Sequence, residues 1–275
     1  MGHDKLRKFA ENETFSCLVQ PSSEELLADG YLALKDHGMK GHWRGFFKNG
    51  NPIVLELGCG KGEYTIDLAQ RDPSKNYIGV DIKGARLWKG AKYATEHALS
   101  NVAFLRTRIE FICAFFAPDE ISEIWLTFSD PQHRRENARL SCPLFLERYR
   151  TFLKRGGVVH LKTDSRFLYE YTRSVCSDNG LSVLASTVDL YGCEGVGFID
   201  DRPELREVQT FYETMFLGQG YRINYLAFCI DKEGRIENPS SFDADYWRSV
   251  EGPRQLFGRD TAETRRQKLH STAEK

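Results

Sequence analysis

The feature that most constrains the fold is a regular alternation of short apolar runs and helical segments between residues 52 and 230. The first apolar run, PIVLELG, passes through a glycine-rich turn into a segment whose apolar side chains have helical spacing, and similar pairs follow. Strands that alternate with helices are joined by right-handed crossovers, which produce a mostly parallel sheet with helices on both faces. The pattern therefore predicts an α/β fold with a doubly wound sheet, which binds ligands at the carboxyl ends of its strands.

Seven strands and the helices between them can be placed within this alternation. The predicted strands are residues 52–58, 76–82, 102–106, 123–129, 158–164, 181–191 and 221–230. The predicted helices are residues 62–71, 85–99, 109–116, 142–157, 165–179 and 208–220. Ser165 is a typical helix N-cap, and the glycine pair that ends the fourth helix is a common helix stop.

The sequence on either side of this region lacks its regularity. Residues 1–50 show no sustained period and have a basic start. Residues 231–275 are polar and charged, which is typical of chain that is partly disordered. We therefore expect an N-terminal arm (1–50), one α/β domain (51–230) and a polar C-terminal tail (231–275).

The composition argues against some classes of protein. The formal net charge of −1 disfavours a uniformly basic nucleic-acid-binding protein, although opposite charges can segregate and leave a local basic patch. Seven cysteines without a C-x-x-C pair indicate reduced thiols rather than a disulfide framework or a zinc site. Because no apolar stretch is long enough for a signal peptide or a membrane span, we expect a cytoplasmic protein without a membrane anchor or a bound metal.

The turn after the first predicted strand, ELGCGKG, is the first candidate ligand site. Gly58, Gly60 and Gly62 allow a tight turn and a close approach of the backbone to a ligand, although a purely structural turn is the alternative. Their spacing, G-x-G-x-G, is one residue shorter than the dinucleotide-binding pattern. Glu56 is expected inside the turn, where a carboxylate disfavours a pyrophosphate and favours a cationic ligand. S-adenosylmethionine, which carries an ammonium and a sulfonium group, is such a ligand.

Asp81 ends the second predicted strand and is the next candidate. A carboxylate at this position can accept hydrogen bonds from both hydroxyls of a ribose, because its two oxygens match two adjacent donors. The alternative role is a cap for the turn that opens the following helix. The two roles are compatible with each other.

Asp130 follows the fourth predicted strand and should therefore reach the same ligand-binding edge of the sheet. Pro131 ends the strand and fixes the direction in which the chain leaves it. Arg134, Arg135 and Arg139 follow closely and are candidates for contacts with phosphates. The alternatives are a plain Ser-Asp-Pro turn for the acid and a solvated charged surface for the arginines.

Two further stretches bring polar and aromatic side chains to this edge. Asp164 ends the fifth predicted strand, beside the fourth. The sequence QTFYE puts Thr210, Tyr212 and Glu213 within one helical turn, and a nucleobase needs a flat apolar face and acceptors for its N–H groups. Locally, a helix cap at Thr210 followed by a core aromatic residue explains the same stretch. Both interpretations are open at this point.

Five stretches in a fixed order match a known family: LELGCGKGEYTIDLA, NYIGVDIKGARLWKGA, TFSDP, HLKTDSRFLYEYT and TFYE. The chain closely resembles the bacterial tRNA (guanine-N7)-methyltransferases over about residues 51–228. The resemblance implies a Rossmann-like class I methyltransferase fold, in which a seven-stranded sheet has an antiparallel last strand. It also implies S-adenosylmethionine as cofactor and tRNA as partner, with a guanosine of the variable loop as the methylated base.

The resemblance also implies roles for individual residues by position. Asp130 matches the family's acid at the junction of cofactor and substrate, which is often called catalytic. Arg134 falls at a basic substrate contact. The other implied cofactor-binding residues are Glu56, Gly58, Gly60, Gly62 and Asp81, and the other implied substrate-binding residues are Asp164, Thr210, Phe211, Tyr212 and Glu213.

The chain departs from the family pattern in two places. Where the family usually has an acid near the adenine, this sequence has Arg108, followed two residues later by Glu110. The adenine contact is therefore expected from the backbone at this position or from Glu110. The loop after Asp130 reads P-Q-H-R-R-E-N and is two residues shorter than the family's loop, but it keeps the basic character.

The implied chemistry does not require a general base. Guanine N7 has an in-plane lone pair and no proton, so it can attack a methyl group directly, and catalysis depends on proximity and alignment. Asp130 is expected to stabilise positive charge on the base or to accept a base N–H. Lys5, Arg7 and Lys8 form a second group of candidates for phosphate contacts.

Other functions are open as alternatives. The chain could methylate another RNA or a small molecule, or it could bind RNA without catalysis, with Arg108 and the short loop marking a lost activity. A nicotinamide-dependent oxidoreductase is disfavoured by the glycine spacing and by Glu56. Both a monomer and a homodimer are compatible with the sequence.

Overall fold

The fold is built around one mixed β-sheet. The computed structural model describes residues 2–27 and 34–252. The strands are β1 (Leu18–Val19), β2 (Ile53–Leu57), β3 (Asn76–Asp81), β4 (Val102–Arg106), β5 (Ile121–Thr127), β6 (Leu153–Thr163), β7 (Val183–Thr187) and β8 (Asn224–Cys229). They form one sheet in the order β1-β4-β3-β2-β5-β6-β8-β7, in which β8 is antiparallel to both of its neighbours and the other pairs are parallel.

Helices cover both faces of the sheet. The α-helices of the described residues are α1 (Gly2–Asn12), α2 (Ser23–Leu26), α3 (Trp43–Phe47), α4 (Glu63–Arg71), α5 (Gly84–Glu96), α6 (Pro143–Tyr149), α7 (Arg166–Asp178), α8 (Gly197–Asp200), α9 (Glu204–Glu207), α10 (Phe211–Gly218) and α11 (Ala244–Glu251). Short 3₁₀ helices span Ile109–Ala114 and Glu136–Ala138. Alternate residues of β2 enter different core clusters, Ile53 and Leu55 on one face and Val54 on the other, so this strand is buried on both sides.

The predicted α/β class and the antiparallel last strand are confirmed. The strand order reverses between β2 and β5, because β3 and β4 extend the sheet in one direction and β6 extends it in the other. In a doubly wound sheet the ligand crevice lies at the carboxyl ends of the two strands that flank such a reversal. The ends of β2 and β5 therefore position the site.

The N-terminal arm adds an eighth strand that the sequence does not predict. β1 pairs in parallel with β4 at the edge of the sheet. Helix α1 packs along α5, where the Asn12 side chain donates to the carbonyl of Gly84 at 3.0 Å. Trp43 is fully buried and donates its indole N–H to the carbonyl of Phe115 at 2.9 Å. A strand of two residues carries no periodicity, which is why the sequence pattern does not reveal it.

Two cations of the N-terminal arm, Arg7 and Lys8, form ion pairs with Asp4 of the same helix, α1. Arg7 and Lys8 each have a side-chain nitrogen 2.9 Å from a carboxylate oxygen of Asp4. Both also lie over the ring of Trp88, at 5.2 and 4.9 Å from its centre. These contacts weaken the case for phosphate binding by Arg7 and Lys8.

The predicted helix over residues 142–157 is too long, because α6 ends at Tyr149 and β6 already begins at Leu153. Leu153 pairs with the start of β5, and residues 154–157 then bulge out before the pairing resumes. Gly156, with φ of 72°, supplies the left-handed backbone of this irregularity. The pairing depends on the partner strand, which local spacing of apolar residues does not report.

The first part of the C-terminal tail packs against the α/β domain. The Arg150 guanidinium donates to the carbonyls of Lys232 and Gly234 at 2.6 and 2.8 Å, and Ile236 is buried. Helix α11 packs against α7. The remainder of the tail, residues 253–275, lies outside the described residues.

The described residues have two further general properties. No helix within residues 2–27 and 34–252 has both the length and the apolar character needed to cross a membrane. All seven cysteines lie in the described ranges, and each is a free thiol.

Candidate active site

The glycine turn lies at the carboxyl end of β2, where the strand order reverses. The amides of Gly58 and Cys59 both donate to the carbonyl of Val80 in β3, at 2.8 and 3.0 Å. Gly58, Gly60 and Gly62 have φ angles of 82°, 60° and 75°, a left-handed region that other residues rarely adopt. The turn leads directly into α4, whose first backbone N–H groups therefore lie beside it.

Two glycines of this turn have different surroundings. A Cβ atom at Gly60 would have no heavy atom within 4 Å, so the space beside its backbone is open. A Cβ atom at Gly62 would lie 2.4 Å from a ring carbon of Phe104 in β4. Gly60 therefore leaves room for a ligand, and Gly62 is needed where α4 packs against the sheet. This open cradle fits a cofactor that approaches the backbone closely.

Alanine substitutions at these two glycines should have separable effects. Gly62→Ala should destabilise the protein by about 2–4 kcal/mol, because left-handed backbone strain adds to a steric clash. Gly60→Ala should cost only about 1–2 kcal/mol of backbone strain and should mainly weaken cofactor binding, because its methyl group enters the open space. Urea unfolding and titration calorimetry with S-adenosylmethionine measure the two effects. If the two variants lose the same stability and both keep the cofactor affinity of the unmodified protein, the two glycines do not have different roles.

Glu56 belongs to β2 and not to the turn in which the sequence analysis places it. The residue is 3% exposed and accepts a hydrogen bond from the hydroxyl of Thr127 at 2.5 Å and another from the hydroxyl of Thr65. Burial raises the pKa of this carboxyl group, and the two hydroxyl donors oppose the shift. Glu56 therefore joins β2 to β5 and α4 beneath the turn, and its contact with a cofactor stays a prediction.

Asp81, the last residue of β3, holds both turns that border the crevice. Its Oδ2 accepts from the amide of Gly60 at 3.1 Å, and its Oδ1 accepts from the amide of Lys83 at 2.7 Å. Asp81 therefore supports the turn before α5, but it is not the helix cap of the alternative role, because the N-cap of α5 is Lys83 and has no side-chain cap. A carboxylate oxygen has more than one lone pair, so the same side chain, which is partly exposed, can also accept from a ribose hydroxyl. The ribose contact itself stays a prediction.

Arg108 and Glu110 follow β4 at the same edge of the sheet. Both are exposed, and Arg108 Nη2 lies 3.5 Å from Glu110 Oε1. The guanidinium also lies 5.6 Å from the ring centre of Phe111. An exposed ion pair of this kind is weak, so a ligand can replace it at little cost. The adenine contact assigned to this pair stays a prediction.

Asp130 lies in the loop of residues 130–139, here called the Asp130 loop, which follows β5. The side chain is exposed, and its Oδ1 accepts from the amide of Gln132 at 2.9 Å. This bond closes an Asx turn, so the turn alternative is confirmed as a local role of the acid. The exposed carboxylate also lies at the edge that the catalytic assignment requires. Arg134 and Arg135 are exposed in the same loop.

Arg139 is not placed to contact a phosphate, so its assignment to the RNA backbone is wrong. Its side chain is 3% exposed, and its guanidinium lies 4.8 Å from the ring centre of Phe167 and 4.2 Å from that of Tyr171. Its Nε donates to the carbonyl of Pro131 at 3.3 Å. Arg139 therefore holds the Asp130 loop from the inside, through stacking and one backbone hydrogen bond.

The QTFYE stretch contains a helix cap and two exposed rings. Thr210 and Glu213 form a capping box at the start of α10, so the helix begins at Phe211 and not at residue 208. The cap that the sequence analysis offers as an alternative is therefore confirmed. The rings of Phe211 and Tyr212 are 59% and 47% exposed, so the expectation of a core aromatic residue is wrong for this stretch.

Glu213 is fully buried and forms an ion pair with Lys162, a residue that the sequence analysis does not single out. Lys162 Nζ lies 2.7 Å from Glu213 Oε1 and donates to the carbonyl of Val208 at 2.9 Å. The Tyr191 hydroxyl donates to the same carboxylate oxygen at 2.7 Å. This burial contradicts the direct substrate contact assigned to Glu213, which instead anchors the stretch with the two exposed rings. A lysine inside the predicted strand VVHLKTD, which a doubly wound sheet buries, is the signal that could have revealed the pair.

Asp164 is half-buried at the carboxyl end of β6. The next residue, Ser165, accepts from the amide of Leu168 at 3.0 Å and caps α7 as predicted. The amide of Phe128 donates to the carbonyl of Lys162 at 2.9 Å, so the chain leaving β5 starts beside the end of β6. This arrangement brings Asp164 to the edge that carries the Asp130 loop, and its substrate contact stays a prediction.

Comparisons with known proteins identify the family. A family model described as "Putative methyltransferase" matches residues 50–189. A tRNA (guanine-N(7)-)-methyltransferase of Christiangramia forsetii is 50% identical over 230 residues, which are 82% of this chain and 98% of the relative. A protein of the same name from Bacteroides fragilis is 45% identical over 253 residues, 90% of this chain and 95% of the relative. The chain belongs to the tRNA (guanine-N(7)-)-methyltransferase family.

A solved structure supports the fold of this family member. The crystal structure of the 16S rRNA methyltransferase KamB has a TM-score of 0.54 at 13% identity, and the match covers 72% of this chain and 95% of that chain. At this identity the likeness shows the fold alone, and it confirms the Rossmann-like class I architecture. Membership in the family confirms the predicted methyltransferase activity and the predicted cofactor, S-adenosylmethionine. The alternative of a nicotinamide-dependent oxidoreductase is therefore wrong.

In this tRNA (guanine-N(7)-)-methyltransferase family member, the glycine turn adjoins the stretch with the exposed rings. Lys61, within the turn, has its Nζ 5.2 Å from the ring centre of Phe211. Lys61 is not among the residues predicted from the sequence, although its place between two glycines of the turn could have suggested it. No group of three or more potential metal ligands occurs among residues 2–27 and 34–252.

Proposed function

We propose that this chain transfers the methyl group of S-adenosylmethionine to N7 of a guanosine in the variable loop of tRNA. The observation that carries the proposal is the similarity to a relative named tRNA (guanine-N(7)-)-methyltransferase. This chain is 50% identical to that relative, and the match covers 98% of the relative's length. The exposed carboxylate of Asp130, at the sheet edge that also carries the glycine turn, supports the proposal from the side of the structure.

The turn after β2 and the acid at the end of β3 would hold the cofactor, which supplies an electrophilic methyl group on a positively charged sulfur. Gly60 leaves its backbone open to a close approach, and Asp81 offers acceptors for a ribose. Glu56 lies beneath the turn, and Arg108 with Glu110 borders the crevice at the end of β4.

Asp130 acts on the substrate side of the crevice. Guanine N7 needs no general base, because its lone pair is already available for attack. The base becomes cationic as N7 forms its new bond, and a carboxylate nearby stabilises this charge most where water is excluded. By accepting a hydrogen bond from an N–H group of the base, Asp130 would also align guanine N7 with the methyl group.

The tRNA is held by side chains outside the reacting centre. Phe211 and Tyr212 offer exposed rings on which an unpaired base can stack. Arg134 and Arg135 are exposed cations that can contact phosphates without reading the sequence. A local group of this kind is compatible with the net charge of −1 of the whole chain.

Methyl transfer to tRNA transcripts tests the proposed function. Purified protein with tritiated S-adenosylmethionine should label a transcript with a guanosine in the variable loop, and mapping should find 7-methylguanosine at that position. A matched transcript with adenosine at the same position should acquire no label above background, because adenosine there removes the target guanine N7.

Other outcomes would favour other functions. Equal labelling of the two transcripts would place the methylated base elsewhere in tRNA. Labelling of another RNA or a small molecule alone would replace the tRNA substrate. Cofactor binding without any transfer would favour an RNA-binding protein that has lost its activity.

A further inference from the structure

The C-terminal segment, residues 231–252, borders the proposed substrate site although it lies outside the range matched by the family model. Its helix α11 packs against α7, which begins just after Asp164 and its cap Ser165. Two side chains of this segment, Phe242 and Glu251, contact residues that hold or form the Asp130 loop.

Glu251 is the first of these contacts. Its side chain is only 4% exposed, and its Oε2 accepts a hydrogen bond from the hydroxyl of Ser165 at 3.1 Å. The same oxygen lies 3.9 Å from Nε2 of His133, which belongs to the Asp130 loop. The His133 ring also packs on Phe167 of α7, with 4.7 Å between ring centres. One carboxylate therefore connects the end of β6 with the middle of the loop.

Phe242 is the second contact. Its ring meets those of Phe167 and Tyr171 edge to face, with centres 5.2 and 5.3 Å apart. The guanidinium of Arg139 lies 5.9 Å from the centre of the Phe242 ring, in addition to its contacts with the other two rings. Phe242 therefore completes an aromatic cage around Arg139, whose Nε holds the carbonyl of Pro131 at 3.3 Å.

Short-range hydrogen bonds shape the backbone of the Asp130 loop. Its hydrogen bonds include those from the amides of Arg135, Ala138 and Arg139 to carbonyls three residues earlier. Bonds of this kind shape short turns, but they do not connect the loop to other elements. The side chains of His133 and Arg139 make tertiary contacts with α7, and both also meet the C-terminal segment.

We propose that the C-terminal segment positions the Asp130 loop for the substrate, with Glu251 and Phe242 as positioning residues. Glu251 acts through His133 and Ser165, and Phe242 acts through Arg139. The proposal rests on the proposed function, since the loop presents Asp130, Arg134 and Arg135 to tRNA. The cofactor turn lies on other strands, so the segment should affect tRNA and not cofactor binding.

Glu251→Ala in the full-length chain tests this role, and Asp245→Ala on the same helix is the matched control, because the Asp245 side chain is 90% exposed. The first readout is the initial rate of trypsin cleavage after Arg134 and Arg135, followed by mass spectrometry. We expect about a fivefold faster cleavage in Glu251→Ala, since local opening of a loop exposes its backbone. The control should cleave at the unmodified protein's rate.

The second readout separates positioning from a general structural role. Glu251→Ala should raise KM for tRNA about three- to tenfold, while the S-adenosylmethionine Kd stays within about twofold. Glu251→Gln should recover part of the loss, because its amide oxygen can still accept from Ser165. Phe242→Leu, which keeps an apolar side chain but removes the aromatic face, should give the same pattern of effects.

The outcomes separate this proposal from the proposed function. If Glu251→Ala matches the control in both readouts, or if it weakens cofactor binding as much as tRNA binding, the positioning role is wrong. If the unmodified protein does not methylate tRNA, the proposed function fails, but faster cleavage in Glu251→Ala still supports control of the loop. A double variant of Glu251→Ala with His133→Gln should lose less than the sum of the two single variants, because residues in contact are not additive.

Discussion

Asp130→Ala should lower kcat for methyl transfer to tRNA by about 100- to 1,000-fold, the loss expected when a preorganised charge is removed from a reacting centre. The residue is exposed at the carboxyl edge of the sheet, in the loop after β5. The affinity for S-adenosylmethionine should change much less, because the glycine turn and Asp81 remain. Steady-state kinetics with a tRNA transcript and titration calorimetry with the cofactor measure the two quantities.

Asp130→Asn is the control that separates charge from local structure. Its amide oxygen can still accept from the amide of Gln132, so the Asx turn seen at Asp130 is retained. If the carboxylate stabilises the cationic base, this variant should lose most of the activity that Asp130→Ala loses. Full activity in Asp130→Asn would show that Asp130 contributes only through the Asx turn. Full turnover in Asp130→Ala would show that Asp130 has no electrostatic role in methyl transfer.

Lys162→Met should destabilise the fold by about 3–5 kcal/mol, because it leaves the carboxylate of Glu213 buried without its ion-pair partner. Both side chains of this pair are 0% exposed, and the two charged atoms lie 2.7 Å apart. Burial lowers the pKa of Lys162 and raises that of Glu213, and their mutual attraction opposes both shifts. Urea unfolding followed by tryptophan fluorescence measures the loss as a lower midpoint with an unchanged slope.

Two further variants give this measurement its controls. Lys162→Met combined with Glu213→Leu should recover most of the stability, because apolar residues often replace a buried ion pair at little cost. Lys89→Ala removes an exposed ion pair with Glu63 and should change the free energy of unfolding by no more than about 1 kcal/mol. A double variant as unstable as Lys162→Met would mean that the lost stability does not come from an unpaired charge.

The residues predicted well from the sequence are those whose role follows from local rules. The three glycines of the turn occupy left-handed backbone, as their residue type and spacing suggest. Asp81 and Asp130 lie at strand ends, because an acid just after an apolar run must leave the core. Ser165 and Thr210 cap helices through hydroxyls that accept from amides three residues later.

The residues predicted poorly are charged groups whose exposure depends on distant parts of the chain. Arg139 lies in a basic run but is covered by aromatic rings of α7 and of the C-terminal segment. Glu213 lies in a polar stretch but is covered by the strand that carries Lys162. Glu56 precedes a glycine turn but points beneath it to hydroxyls on β5 and α4.

The sequence by itself determined the α/β class, the glycine turn, the strand ends that carry Asp81 and Asp130, and the family. These depend on residue type and spacing over short distances, which the chain order preserves. Only the tertiary structure decided which charges face the substrate and which hold the fold, and that the C-terminal segment reaches the Asp130 loop. Burial and pairing are set by neighbours far apart in sequence, so a basic run that looks uniform can divide into exposed arginines at 134 and 135 and a buried one at 139.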